Sequence, residues 1–65
     1  MSLAKVIEVI AEGDTMEQAV ENAVNQASKT VNHIKSVYVE NITGIVESGK
    51  ITVYRVNAKI TFILD

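Results

Sequence analysis

The sequence predicts an α+β chain whose elements follow the order β-α-β-β. Three observations predict this order: a segment rich in Val and Ile at 4–11, an amphipathic pattern over about 15–31, and two long strand-like segments around a tight turn. Apolar residues that recur with period 2 indicate strands, and a period of 3.6 indicates a helix. Because the chain has 65 residues, we expect 1–65 to form a single domain.

The first strand is predicted over 4–11, where Val and Ile dominate. Both of its faces are partly apolar, which is typical of a strand that is covered on both sides. One face carries Ile7, Val9 and Ala11, and the other carries Val6 and Ile10 around Glu8.

The helix is predicted from about Thr15 to about Val31. Thr15 with Gln18, or Asp14 with Glu17, can form a capping box, in which a side-chain oxygen satisfies a free amide at the helix start. Three alanines in the apolar stripe are small enough to let the helix lie close to a sheet. The apolar positions are Met16, Ala19, Val20, Ala23, Val24, Ala27, Val31 and Ile34.

Two strands are predicted over 36–47 and 50–64, joined by the hairpin turn Glu47-Ser48-Gly49-Lys50. If Glu47 lies opposite Lys50, the register fixes both faces, although a bulge near Gly44 would shift part of it. The face toward the helix then holds Val37, Val39, Thr43, Ile45, Tyr54, Val56, Ala58, Ile60 and Phe62. The other face holds Ser36, Tyr38, Glu40, Ile42, Val53, Arg55, Asn57, Lys59 and Thr61.

That second face predicts a partner. It mixes charged side chains with apolar ones, and after one helix has covered the first face nothing in the sequence is left to cover it. Hydrophobic residues make up 48% of the chain, whereas a domain this short buries only about 60% of its unfolded surface. We therefore predict a homo-oligomer in which other copies cover this face.

Composition argues against several other classes of protein. The net charge of -2 gives no electrostatic footprint for nucleic acid. No apolar run approaches the roughly 18 residues of a membrane span, and the first residues lack the apolar core of a signal peptide. The chain has no cysteine, which fits a reducing compartment. We expect a cytoplasmic protein that binds neither nucleic acid nor membrane.

Three groups of residues carry a resemblance to a known family. They are 5–10 (KVIEVI), then 17–19 (EQA) with 29–30 (KT), then 49–52 (GKIT) with 54–56 (YRV). Together, in this order and over nearly the whole chain, they resemble the dodecins. The resemblance implies a three-stranded antiparallel sheet partly wrapped around the helix. It also implies twelve copies in a hollow shell that stores flavins or flavin breakdown products between subunits and is not an enzyme.

The resemblance also implies ligand-binding positions. In flavin-binding dodecins a tryptophan in the second strand stacks on the flavin and a glutamine in the third strand bonds its edge. These positions fall on Ser36 and Arg55, and Tyr38 lies on the same face. A serine has no π surface for a stack that is worth about 1–3 kcal/mol. In lacking this tryptophan the chain resembles the calcium dodecin branch more closely.

Each candidate side chain has two interpretations. Arg55 can grip a phosphate or carboxylate, or it can pair with Glu40 or another acid across a subunit interface. Tyr38 can stack on an aromatic ligand or pack at an interface with its hydroxyl in water. His33, the only histidine, suits the end of the helix better than a metal site.

Four carboxylates near the start of the helix are candidate calcium ligands: Glu8, Glu12, Asp14 and Glu17. Carboxylate oxygens are what Ca²⁺ prefers, but the same residues also suit helix capping and a solvated rim. The sequence contains no set of catalytic residues and no glycine-rich phosphate loop. The first hypothesis is a shell that holds a flavin, FMN or riboflavin, or another cofactor, near Ser36, Tyr38 and Arg55. The alternative is a structural or calcium-binding assembly without flavin.

Overall fold

The computed structural model describes residues 3–64 and confirms the predicted order of elements. Strand β1 spans Leu3–Gly13, helix α1 spans Met16–Ser28, β2 spans Ile34–Glu47 and β3 spans Lys50–Leu64. Strands β1 and β2 are slightly longer than predicted, and β3 has the predicted bounds. The helix lies against one face of the sheet, called the inner face below, and the opposite face is called the outer face.

The three strands form one antiparallel sheet in the order β1-β3-β2, so β3 is central. Strand β1 pairs with β3 without interruption from Leu3, opposite Leu64, to Gly13, opposite Tyr54. Both β1 and β2 therefore have one edge that pairs with no other strand within residues 3–64. The central strand takes hydrogen bonds on both sides and carries the core.

The hairpin turn between β2 and β3 forms at the predicted residues. Glu47 lies opposite Lys50, as predicted. Ser48 has φ 52° and Gly49 has φ 78°. Positive φ at both central residues is typical of a type I′ turn, whose twist matches that of the two strands it joins. Glycine adopts this conformation without a steric cost, so Gly49 fixes the register of the first pair.

The predicted register of β2 is correct near its start and at the turn but wrong from Asn41 to Ile45. Val37 and Val39 lie opposite Ile60 and Ala58 on the inner face, as expected. A register shift between Val39 and Asn41 then places one extra residue in β2, which moves the following side chains to the opposite faces. Ile42 consequently lies opposite Val56, whereas Thr43 lies opposite Arg55 and Ile45 opposite Val53. Ile42 is thus an inner residue, and Thr43 and Ile45 are outer ones. A further register shift, between Ile45 and Val46, lies next to Gly44, where the sequence analysis allowed for a bulge, and it restores the predicted pairing at the turn.

Helix α1 begins where predicted and ends three residues early. The Thr15 hydroxyl accepts a hydrogen bond from the Gln18 amide at 3.0 Å, which is the predicted cap. The helix ends at Ser28 instead of near Val31, because the first backbone hydrogen bonds after it connect residues three apart instead of four. The Lys29 amide, for example, donates to the Gln26 carbonyl at 3.2 Å. The chain then turns through His33, whose φ of 61° is left-handed.

The core lies between α1 and the inner face. The predicted small stripe of the helix, Ala19, Ala23 and Ala27, is buried, and so are the predicted inner residues Val56, Ala58, Ile60 and Phe62 of β3. Small side chains allow the backbone of the helix to approach the sheet. At Gly13 the approach leaves no room for a side chain, because a Cβ atom would lie 2.5 Å from the amide nitrogen of Ala19.

Candidate functional site

The outer face of the sheet remains uncovered within residues 3–64, as the sequence analysis expected. Val6 is 55% exposed, Ile10 is 64% exposed and Tyr38 is 65% exposed. Such large apolar side chains, grouped on one face, are typical of a surface that meets a partner or a ligand. The candidate ligand-binding residues Ser36, Tyr38 and Arg55 occur on this face.

Within the chain, Arg55 forms an ion pair with Glu12; its pairing with Glu40 or another acid across a subunit interface stays a prediction. The β1–β3 register places Glu12 directly opposite Arg55. Two guanidinium nitrogens bond the same carboxylate oxygen, Oε2: Nη2 at 2.7 Å and Nε at 2.8 Å. Glu40 instead lies 3.5 Å from the ammonium of Lys59. Both pairs join neighbouring strands: the β1–β3 register sets Glu12 opposite Arg55, whereas Glu40 lies at the break in the β2–β3 register and reaches Lys59 from there.

Reversing the Arg55 pair tests this assignment. We expect Arg55→Glu to lower the unfolding temperature slightly, because two carboxylates then face each other across β1 and β3. Adding Glu12→Arg should restore most of the loss. The effect is small, at most about 1 kcal/mol, since both side chains are nearly half exposed. Thermal unfolding of the two single variants and the double variant at low salt measures it.

The matched control combines Arg55→Glu with a change at Glu40 and leaves Glu12 unchanged. Arg55→Glu with Glu40→Arg should show no recovery of the unfolding temperature, because Glu40 contacts Lys59 within the chain. Equal recovery with Glu40→Arg and with Glu12→Arg would mean that Arg55 meets Glu40 of another copy in solution.

The structure brings Ser36 and Tyr38 together but separates both from Arg55. Ser36 lies opposite Thr61 and Tyr38 opposite Lys59, so the two are neighbours on the outer face of β2. Arg55 lies six positions along β3 from Thr61 and four from Lys59, which corresponds to about 20 Å from the level of Ser36 and about 13 Å from the level of Tyr38. One chain therefore does not offer the three candidate residues to a single small molecule.

A groove of about 850 Å³ opens beside the free edge of β1, at the Arg55 end of the sheet. The helix forms one wall with three amide side chains, those of Asn22, Asn25 and Gln26, and the Glu12–Arg55 pair forms another. Asn22 is held in place: its Nδ2 donates to the Glu12 carbonyl at 2.8 Å, and its Oδ1 accepts from Gln18 Nε2 at 2.9 Å.

The sequence analysis named only the apolar stripe of the helix and so missed the groove amides. Asn22, Asn25 and Gln26 are spaced by three and four residues, which places them along one side of a helix. Three neutral amides in that spacing were the available signal. The spacing does not show that these three amides lie beside the edge of β1.

The four carboxylates proposed for calcium do not converge in the described chain. Among residues 3–64 no group of three or more Asp, Glu or His side chains is arranged to hold a metal ion. Glu12 pairs with Arg55, and Thr15, not Asp14, caps the helix. In the same part of the chain, no helix is long and apolar enough to cross a membrane.

Comparison with known proteins gives a family and a fold. Residues 3–65 match the model of the dodecin family, whereas comparison with curated protein sequences gives no match. A dodecin from Streptomyces coelicolor is 32% identical and superimposes with a TM-score of 0.92, over 98% of this chain and 93% of that one. The dodecin from Streptomyces davaonensis gives 26% identity and a TM-score of 0.92, over 98% and 96% of the two chains.

A third structure agrees in fold at lower identity. A point mutant of the T. thermophilus dodecin is 24% identical with a TM-score of 0.92, and the match covers 100% of this chain and 98% of that one. Its β-α-β-β architecture is the one described above, with three antiparallel strands and one helix. The family match extends over nearly every residue of the sequence, and the chain belongs to the dodecin family.

Proposed function

We propose that this chain assembles into a homo-oligomeric shell of twelve copies that binds and stores a small ligand between subunits and catalyses no reaction. Membership of the dodecin family supports the proposal. The uncovered outer face, with Tyr38 65% exposed and Ile10 64% exposed, provides the surface at which copies meet.

The observation that carries the proposal is the separation of the candidate residues. Along β3, Arg55 lies about 20 Å from the level of Ser36 and about 13 Å from the level of Tyr38. A small molecule that contacts all three must therefore take them from two copies. Two sheets that meet by their outer faces in opposite directions bring the Tyr38 end of one copy to the Arg55 end of the next.

The ligand we propose is a flavin such as FMN or riboflavin, or a related cofactor. Ser36 stands where flavin-binding dodecins have a stacking tryptophan, and its hydroxyl supplies no π surface. Tyr38 lies two residues away on the same face and is the exposed aromatic side chain nearest to that position. In this proposal Tyr38 stacks on the ring system, while Arg55 bonds a polar group of the ligand.

Native mass spectrometry of the untreated protein tests the assembly and its cargo in one measurement. We expect a single species of twelve chains that carries a bound small molecule. Titration with FMN, riboflavin and lumichrome should then quench flavin fluorescence at micromolar concentrations. A stable 7.1 kDa monomer would refute the shell, and unquenched fluorescence with all three compounds would refute the flavin.

The second candidate function is a structural or calcium-binding assembly without flavin, as in the calcium dodecin branch. The absence of tryptophan from the sequence favours it, as do Glu12, Asp14 and Glu17 around the start of α1. These carboxylates would have to meet those of other copies to complete a site. Calcium found by elemental analysis of a colourless preparation would favour this function over flavin storage.

The remaining sequence-based expectations stay predictions. They are the location in the cytoplasm, the single domain over residues 1–65, and a set of partners that contains neither nucleic acid nor membrane. Fractionation of cells that express the chain would test the first of these directly.

A further inference from the structure

The loop between α1 and β2 contains an asparagine that no neighbouring group holds. Asn32 is exposed, and no hydrogen bond involves its side chain within residues 3–64. In the same part of the chain the backbone amide of His33 donates to no acceptor, although the His33 carbonyl accepts from the Ile63 amide at 3.1 Å. A carboxamide and an unbonded amide nitrogen are therefore adjacent, outside the helix and the three strands.

An asparagine side chain in this position can react with the nitrogen that follows it. The His33 nitrogen attacks Cγ of Asn32, so that a new N–Cγ bond closes a five-membered imide ring and the Cγ–Nδ2 bond breaks. Nδ2 leaves as ammonia and takes the proton of the His33 amide with it. Water then opens the ring at either carbonyl, which gives aspartate or isoaspartate. Because the two groups belong to adjacent residues, proximity favours the reaction wherever the nitrogen can reach Cγ.

Three of the five asparagines are held in regular structure that opposes this reaction. Asn22 and Asn25 lie inside α1, where the amide of the next residue donates to the carbonyl four residues back. Asn22 is fixed further, because its side chain bonds both the Glu12 carbonyl and the side chain of Gln18. Asn57 lies in the central strand, which pairs on both sides, so the amide that follows it is held in the sheet.

Asn41 is the fourth, and the residue after it hinders the attack. It lies in the edge strand β2, where pairing with β3 keeps the backbone extended, and Ile42 follows it. A side chain that is branched at Cβ is stiff and crowds the backbone nitrogen. His33 has no branch at Cβ, and a cavity of about 290 Å³ beside it admits water to the loop. Asn32 is thus the asparagine most accessible to ring closure.

We propose that Asn32 is a site of spontaneous deamidation, which converts it through the cyclic imide to aspartate and isoaspartate as the protein ages. The product carries one negative charge in addition to the net charge of -2 of the sequence. The isoaspartate form also adds one carbon atom to the backbone before His33, whose carbonyl connects the loop to Ile63 of β3. The reaction consumes only water and requires neither a stored ligand nor a particular number of subunits.

Timed incubation of the untreated protein measures the reaction and its position. After several days at neutral pH, ion-exchange chromatography separates the acidic form from the original one. Peptide mapping by mass spectrometry then identifies the converted residue and distinguishes aspartate from isoaspartate. We expect at least about tenfold more conversion at Asn32 than at any other asparagine, because a misplaced nitrogen loses most of the benefit of proximity.

Three variants test ring closure onto the His33 nitrogen. Asn32→Gln lengthens the side chain, so ring closure would need a larger ring that forms more slowly, and the acidic form should no longer accumulate. Asn41→Gln is the matched control and should leave the accumulation unchanged. His33→Gly keeps the left-handed φ of 61° without a steric cost and uncovers the nitrogen, so conversion of Asn32 should become several-fold faster.

Three results would overturn the inference. They are conversion at Asn41 or within α1 that equals conversion at Asn32, an acidic form that accumulates equally in Asn32→Gln, and wild-type protein that stays unmodified while a peptide of residues 29–36 is converted under the same conditions. The last result would mean that the folded loop keeps the His33 nitrogen away from Cγ. None of these results bears on the number of subunits or on a stored ligand.

Discussion

Replacing Gly13 with alanine should destabilise the protein more than any other single methyl group added to the chain. The new Cβ would lie 2.5 Å from the amide nitrogen of Ala19, 2.8 Å from the carbonyl carbon of Gln18 and 2.9 Å from the Cα of Ala19. All three are backbone atoms of the first turns of α1, so no side chain can rotate away. The helix must move off the sheet, at an expected cost of about 3 kcal/mol.

Gly44→Ala is the matched control, because it adds the same methyl group to a strand of the same sheet. There the new Cβ would meet the Cδ1 atom of Ile51 at 3.3 Å, and the end of a flexible side chain can shift. We expect a change in unfolding free energy below about 1 kcal/mol. Chemical denaturation at a fixed protein concentration compares the two variants. Equal losses would show that close approach at Gly13 does not limit the packing of the helix.

Ile60→Ala should have an effect of similar size through the opposite defect, a cavity. Ile60 is fully buried in the central strand and lies opposite both Ile7 and Val37. Truncation of such a side chain costs about 3–4 kcal/mol. In a domain of this size we expect the unfolding temperature to fall by about 15 °C or more. Differential scanning calorimetry at one protein concentration measures the shift.

Ile60→Val separates the cavity from any loss of strand propensity. Valine keeps the branch at Cβ and removes one methyl group, so the expected cost is about 1 kcal/mol. If alanine and valine at position 60 gave the same unfolding temperature, the core between β3 and α1 would have to be loosely packed. The burial of Val56, Ala58 and Phe62 on the same side of β3 argues against that.

Local sequence signals were sufficient for the elements themselves. The order β-α-β-β, the Thr15 cap and the Glu47–Lys50 pair at the turn all depend on residues close together in the chain, and all are confirmed. The end of the helix was predicted less well. Val31 continues the apolar spacing, yet the helix ends at Ser28. The Val31 amide donates to the Ala27 carbonyl at 3.0 Å from the turn that follows the helix. Apolar periodicity alone does not mark where the turns change.

The facing of β2 could not be obtained from its pattern. Val37, Val39, Thr43 and Ile45 alternate as a regular inner face would, and no glycine or proline marks Glu40 as a bulge. The register shift becomes visible only against β3, where Ile42 lies opposite Val56. Ile42 is still 41% exposed, because the helix contacts mainly β1 and β3. Its position is thus set by pairing and not by burial.

The face that carries the candidate residues was predicted correctly, whereas their role in binding stays a prediction. Ser36, Tyr38 and Arg55 share the outer face, as the assumed register required. The partner of Arg55 was missed because Glu12 is 43 residues away in sequence and becomes its neighbour only through β1–β3 pairing. The groove was missed for the same reason, since it needs the edge of β1 and the side of α1 at once. Such non-local contacts lie beyond periodicity and capping arguments.

The central place of β3 has a consequence for biosynthesis. The ribosome makes β1 first, but the partner of β1 is the segment Lys50–Leu64, which is made last. Until that segment emerges, β1 has no strand to bond, and its Val and Ile side chains stay accessible to chaperones and to other nascent chains. The hairpin of β2 and β3 can close locally at once. We therefore expect β1 to be the last strand to join the sheet, after β3 has been made.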